Sequence, residues 1–350
     1  MKDVRIALLG VGKIGRELVS RTVSNRHYRY VSVSDKSGVL VADKHFREKD
    51  LSRIVNFKSK GGCLADLRCA YEYYEDVSMI LNCSDIDVLV DVTYFQTFEI
   101  LNKAVESSHI LLSNKIPVAD ITHTQFQRLI SKGNAGNKVI DLGTTVGAGM
   151  RMPDMVKKMG ASGIDLIYGC LSGTMNFLSQ RLNEEAEFSS AVKEAMSHPR
   201  YYTEPDPRVD LAGLDFARKL VILSRLAGES VDLDHVKIDN PIPDDLHGND
   251  LKEFLNLIGS LDYVFQRRIE EAYKCGKILW FLGTGDFNKK EYKVGFEELP
   301  DDDPIARSRE SDNVLKIFPR GWRRPVTVMG PGAGIRETVT GLISSLSSFH

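Results

Sequence analysis

The segment YYTEPDPRVDLAGLDFARKLVILSRLAG, from Tyr201 to Gly228, sets three acids and a lysine beside an apolar helical pattern. Asp215 and Lys219 stand four residues apart and so share a helix face. Glu204 and Asp210 lie just upstream, where Pro205 and Pro207 interrupt regular structure and Asp210 is placed to cap the helix. Charges are costly to bury unless they are paired or used. The group is therefore either an ion-pair device or a polar reaction site. In the second case a lysine handles a proton and carboxylates hold a cation.

A second pattern opens the chain. An apolar strand, Val4 to Leu9, runs into Gly10-Val11-Gly12-Lys13-Ile14-Gly15, and a helix is predicted from Arg16 to about Ser24. Strand, GxGxxG and helix in that order form a dinucleotide-binding fingerprint. Gly10 allows the turn, Gly12 lets backbone approach a pyrophosphate, and Gly15 lets the helix pack on the sheet. The N–H groups of Lys13 and Ile14 would face the phosphates. The next strand, Arg29 to Ser34, ends at Asp35. Asp35 is either a turn-starting residue or an acceptor for ribose hydroxyls that favours NAD over NADP, with Lys36 softening the preference. Lys58 and Lys60 are solvated loop charges or phosphate ligands, and the sequence does not choose. The strand Ile86 to Val92 ends in Thr93-Tyr94-Phe95-Gln96, and His109 to Leu112 ends in Ser113-Asn114-Lys115. Ligands collect beyond the carboxyl ends of strands in doubly wound sheets, which makes Thr93, Asn114 and Lys115 candidates. An ordinary surface lysine is the alternative for Lys115.

These groups need a scaffold. Strands alternate with helices in the first half, so an α/β fold is expected there. With 350 residues, two domains are expected. The cluster of Gly143, Gly147 and Gly149 with Thr144 and Thr145 marks a hinge near residues 145–155, or a backbone nest for an ion. Beyond it, IDLIYG reads as a strand. It precedes Ser172, Gly173, Thr174 and Asn176, which either cap a helix over 176–181 or meet a polar substrate. Leu251 to Leu261 is a predicted helix. Tyr263 to Ala272, Gly276 to Phe281, Tyr292 to Phe296, Asn313 to Phe318 and Val326 to Met329 are predicted strands. Asp301-Asp302-Asp303-Pro304 reads as a solvated turn, not a metal site. The run Gly330-Pro331-Gly332-Ala333-Gly334 leads into a last helix, Ile335 to Leu346. Gly332 and Gly334 thus form a second place for anionic or polar groups, and the small-residue face of that helix suits packing on the first domain. The domains expected are 1–150 completed by 320–350, and 151–319.

A net charge of -2 speaks against a dedicated nucleic-acid binder. No apolar run reaches the roughly 18 residues of a membrane span. The short N-terminal run reads as a strand, not a signal peptide. Five cysteines without a CxxC pair suit a reducing, cytoplasmic setting, and none has zinc spacing.

Taken together, the motifs resemble those of the homoserine dehydrogenase family over nearly the whole chain. GVGKIG at 10–15, SNK at 113–115, TVGAG at 145–149, SGTMN at 172–176, YTEPDPRVDLAGLDFARKLVIL at 202–223 and GPGAG at 330–334 follow the family's order. The resemblance implies a Rossmann-like nucleotide-binding domain, a second α+β substrate and dimerisation domain, and a homodimer. It implies NAD(P)-dependent interconversion of aspartate 4-semialdehyde and L-homoserine, in a short form without aspartate kinase or ACT regions. Lys219 and Lys115 match the family's active-site lysines, with Asp215 orienting Lys219. Glu204, Asp210 and Asp215 match its substrate-holding acids, with Gly173 and Thr174 beside them. The alternatives are a related dehydrogenase of another small amino or hydroxy acid, or a non-catalytic NAD-binding protein. Two positions depart from the family. Thr93-Tyr94-Phe95-Gln96 brings aromatic residues where small ones are common. Gly143 replaces a Glu that, with backbone carbonyls, surrounds a sodium ion. The carbonyls of Val146 and Ala148 remain as weak ligands, so little or no sodium binding is expected.

Overall fold

The computed structural model describes residues 3–82, 85–198, 203–248, 250–309 and 311–349. Cys83 and the Tyr201-Tyr202 start of the acidic block lie outside the described residues. The chain divides into two units, one of residues 1–153 with 334–350 and one of residues 154–333.

In the first unit the chain runs β1 (Val4–Leu9), α1 (Lys13–Thr22), β2 (Tyr28–Asp35), β3 (Gly38–Val41), α2 (Glu48–Ser59), β4 (Glu72–Tyr74), β5 (Val88–Asp91), α3 (Phe98–Ala104), β6 (His109–Leu112), α4 (Ile116–Ala119), α5 (His123–Ala135) and β7 (Ile140–Asp141). The sheet order is β4-β3-β2-β1-β5-β6-β7. From β2 to β7 all neighbours are parallel, while β3 and β4 add an antiparallel edge. Ile6, Leu8, Val88 and Val90 are fully buried, as expected for central strands covered on both faces. The strand order reverses between β1 and β5, so the crevice beyond their carboxyl ends is the switch point of the fold.

The second unit continues through α6 (Met152–Gly160), which straddles the division, then β8 (Ile164–Cys170), α7 (Gly173–Asn183), α8 (Phe188–Ser197), α9 (Arg208–Leu211), α10 (Leu214–Leu226), β9 (Val236–Ile238), α11 (Asp244–His247), α12 (Leu251–Leu257), α13 (Asp262–Lys274), β10 (Lys277–Asp286), β11 (Glu291–Pro300), β12 (Asp312–Pro319) and β13 (Val326–Pro331). Its sheet has the order β13-β12-β8-β10-β11-β9 and is mostly antiparallel. The chain then closes with α14 (Ile335–Leu346) in the first unit. There Val339, Leu342 and Leu346 join the core of β1 and α1, and Arg21 donates to Thr340 at 3.0 Å.

Several expectations change. Residues 320–333 belong to the second unit, because β13 pairs along β12. Tyr263 to Ala272 is helical: Phe265, Ile269 and Ala272 are buried at a helical spacing, while Tyr263 and Val264 face out. Asp303 is not solvated. It accepts from Tyr168 Oη at 2.8 Å and Lys316 Nζ at 2.6 Å, and both members of the ion pair are buried. Among the described residues no helix is long and apolar enough to cross a membrane.

Burial alone raises the Asp303 carboxyl, but the Ile305 N–H, Lys316 and Tyr168 outweigh it and hold it below the ordinary 3.8. A depressed folded value means stability that is present above the ordinary carboxylate range and lost as pH falls through the folded value. Removing one partner of a buried pair leaves the other uncompensated. Lys316→Ala should therefore cost about 3 kcal/mol in urea unfolding at neutral pH. The acid-side loss of stability seen in the parent should be smaller in the variant.

Candidate active site

At the switch point the glycine turn is set by sterics. Gly10 has φ +99° and a Cβ there would lie 3.1 Å from the Thr93 methyl, so the ends of β1 and β5 abut. A Cβ on Gly15 would run into the Gly10 carbonyl oxygen. Above Gly12 there is open space. Gly10 and Val11 donate back to the Ser34 carbonyl, which fixes the loop. Gly12 offers no side chain to cap α1, so its first turn, with Lys13 and Ile14, is left to an outside acceptor. A cavity of about 300 Å³ lies here, lined by this loop together with Arg16, Lys36, Lys58, Tyr94 and Phe95.

Asp35 is placed at this cavity, where its carboxylate starts the turn into β3. One carboxylate oxygen accepts from the Ser37 N–H at 2.7 Å and its hydroxyl at 2.5 Å. The other accepts from Leu64 N–H at 3.1 Å and pairs with Lys58. A carboxylate has about four acceptor sites, so a ribose hydroxyl would have to displace one of these bonds. Burial raises the carboxyl, but Lys58, Ser37 and Leu64 prevail and hold it below its usual range. Lys58 is thereby settled as Asp35's partner.

A residue that the sequence reading passed over organises the neighbouring strand ends. Asp91, fully buried at the end of β5, accepts from Thr93 N–H and Oγ1 at 2.9 and 2.7 Å, Thr97 Oγ1 at 2.5 Å and Asn114 Nδ2 at 3.2 Å. Asn114 also donates to Thr93 Oγ1 and the Phe95 carbonyl, and accepts from Ile116 N–H. Asn114 is 3 % exposed, so its side chain builds the turn and does not reach outward. Lys115, half-buried at the start of α4, is presented by that turn. The signal for Asp91 was available, since an acid in the apolar run IDVLVDV needs a reason. Burial pushes its carboxyl above the usual range, with the hydroxyl and amide donors pulling back.

In the second unit, Lys219 Nζ donates to the Leu171 carbonyl at 2.7 Å and pairs with Asp215 at 2.9 Å. The Leu171 carbonyl is offered where β8 gives way to α7, whose start is capped by Ser172. Asp210 does not cap α10. Gly213 stands there with φ +69°, and the break it makes leaves Asp210 on α9. Asp210 accepts from Thr174 Oγ1 at 3.1 Å and from Glu204 N–H at 2.8 Å. Burial raises its carboxyl, and the charges of Glu204 and Asp215 add to the rise. Asn176, by contrast, is buried against Trp280 and Ser308 and serves packing.

The second glycine loop is less open than expected. Gly332 passes so close to Asn313 that a Cβ would collide with its side chain. At Gly334, φ +142°, the Glu337 carboxylate folds back over the start of α14 and complements its positive end. An anion there would meet that carboxylate. Gly173, at the start of α7, packs on Ser311. Val146 and Ala148 are buried. Among the described residues no group of three His, Cys, Asp or Glu is placed to hold a metal.

Asp91→Ala should leave Thr93, Thr97 and Asn114 donors unsatisfied and cost about 3 kcal/mol in urea unfolding. Asp91→Asn should cost less, because its amide oxygen still accepts. Equal losses would show that the hydrogen bonds to Asp91 carry little.

The family model for homoserine dehydrogenase matches residues 154–346. A homoserine dehydrogenase of Schizosaccharomyces pombe is 29% identical over 371 residues, covering 98% of this chain and 94% of that protein. A bifunctional aspartokinase/homoserine dehydrogenase of Buchnera aphidicola is 28% identical over 99% of this chain, which spans 42% of that longer protein. Among solved structures, a mutant of a hyperthermophilic archaeal homoserine dehydrogenase in complex with NADPH superposes with a TM-score of 0.76. It is 21% identical, with 99% of this chain and 97% of that one covered, a likeness of fold. The match over more than half of the chain, with the acid and lysine group inside it, places this chain in the homoserine dehydrogenase family, a family of NAD(P)-dependent oxidoreductases.

Proposed function

We propose that this chain interconverts L-aspartate 4-semialdehyde and L-homoserine with NAD(P), its first unit holding the dinucleotide and its second the substrate. The observation that carries the reading is Lys219 Nζ, fixed between the Leu171 carbonyl and Asp215, with the charges of Glu204 and Asp215 acting on Asp210. The nicotinamide, when bound, supplies or takes up the hydride. An ammonium has three donors. Leu171 and Asp215 take two, and the third is assigned to the substrate oxygen, where it donates a proton or stabilises developing negative charge. Lys115 is assigned, as the family resemblance implies, the role of a second active-site lysine. Glu204 and Asp210 hold the substrate ammonium, whose arrival relieves the mutual repulsion of the acids. Thr174 orients Asp210, and Gly173 gives the backbone room beside it.

For the dinucleotide, the pyrophosphate is assigned to the Gly10–Gly15 turn and the first N–H groups of α1. Asp35 is already neutralised by Lys58, while Lys13, Arg16 and Lys36 add positive charge around the cavity. That balance favours a phosphate on the ribose, so NADP is accepted at least as well as NAD. The NADPH bound in the archaeal relative supports this. A homodimer built through the second unit and a cytoplasmic setting complete the reading.

The direct test follows NADH and NADPH formation with L-homoserine at alkaline pH. Turnover with both is expected, and none with either would remove the reading. Lys219→Ala should lower kcat on the order of 10²-fold or more and leave NADPH affinity unchanged. Lys58→Ala should raise KM for NADPH about 10-fold more than KM for NADH, because Asp35 is then left as an unpaired negative charge beside the ribose phosphate. Equal effects on both cofactors would show that the Asp35–Lys58 pair does not set the ribose preference.

A further inference from the structure

The family resemblance calls for a carboxylate side chain at residue 143, and the structure shows what fills that space. A Cβ on Gly143 would lie 2.6 Å from Arg151 Cζ and 2.7 Å from its Nη2. The guanidinium is held in place. Nη2 pairs with Asp141 at 2.8 Å, and Nη1 donates to Ser345 Oγ and, at 3.4 Å, to the Gly341 carbonyl. Asp141 in turn accepts from the Gly143 N–H at 2.7 Å. One cation therefore ties the end of β7, the glycine loop and α14 together, all within the first unit.

The loop it closes is held in an unusual backbone. Gly147, Ala148 and Arg151 have φ values of +72°, +46° and +53°. Non-glycine residues stay in that region only where their surroundings over-determine it. The loop also packs closely on α14: a Cβ on Gly341 would lie 2.6 Å from the Thr144 methyl, and one on Gly149 would lie 2.7 Å from the Glu337 carbonyl.

Sodium does not fit this arrangement. A hard cation takes oxygen donors. Here the side-chain space of residue 143 presents N–H donors that carry positive charge, and the adjacent carboxylate of Asp141 is already paired. We propose that Arg151 is a built-in cation that positions the 143–149 loop in place of a bound alkali ion. The carbonyls of Val146 and Ala148 then have no ion to hold.

The test compares the thermal midpoint and NADPH affinity in sodium, potassium, lithium and choline chlorides at equal ionic strength. For the parent protein both should agree across the four salts, with affinities within about two-fold. The midpoint does not depend on catalysis, so it reads the loop even if the homoserine reading fails. Arg151→Ala should lower the midpoint, and low concentrations of guanidinium should restore it in part where equal urea does not. If Arg151→Ala does not yield folded protein, Arg151→Lys and Arg151→Met carry the comparison, with the lysine variant nearer the parent. A saturable sodium or potassium response in the parent would overturn the proposal. So would an Arg151→Ala protein with an unchanged midpoint and affinity, or equal rescue by urea.

Discussion

Asp91 sits fully buried at the carboxyl end of β5 and gathers Thr93, Thr97 and Asn114 around one carboxylate. Burying an acid is costly, and its raised carboxyl shows that cost persisting despite the donors. What the arrangement secures is geometry. The turn after β5 carries Tyr94 and Phe95 to the cavity wall, and the turn after β6 carries Lys115. Both turns close on the same side chains, so neither can move alone. The glycine turn after β1 then abuts Thr93, which extends the constraint to the start of α1.

The second unit sets its acids beside one another. Asp210 accepts from Thr174 and the Glu204 N–H, and Asp215 pairs with Lys219. The Asp210 carboxyl is raised by burial and by the charges of Glu204 and Asp215. Lys219 is instead firmly held, by a carbonyl at a strand end and a carboxylate one helical turn away. The break at Gly213 places Asp210 on α9 and Asp215 with Lys219 on α10.

Cations recur as local solutions in this protein. Lys58 answers Asp35 at the end of β2, Lys316 answers Asp303 beneath the second sheet, and Arg151 answers Asp141 at the end of β7. At Asp35 one carboxylate joins the turn at Ser37, the Leu64 N–H and Lys58.

The sequence alone carried the elements and the chemistry that depends on local spacing. Strand, GxGxxG and helix follow from apolar runs and glycine sterics, and Asp215 and Lys219 share a face because they are four residues apart. The last helix, Ile335–Leu346, was legible from its glycine entry and apolar period. Only the tertiary structure decided which polar groups remain open to a ligand. Asp35 is engaged by Leu64, 29 residues away, Asn114 by Asp91, 23 away, Asp303 by Lys316 and Tyr168, 13 and 135 away, and Arg151 reaches Ser345 across 194. A side chain's capacity for hydrogen bonds is fixed by its type, but who takes up that capacity is set by what the fold brings beside it. Arg151 is the plainest case: its Ser345 and Gly341 partners lie on α14, and nothing near residue 151 in the sequence announces them.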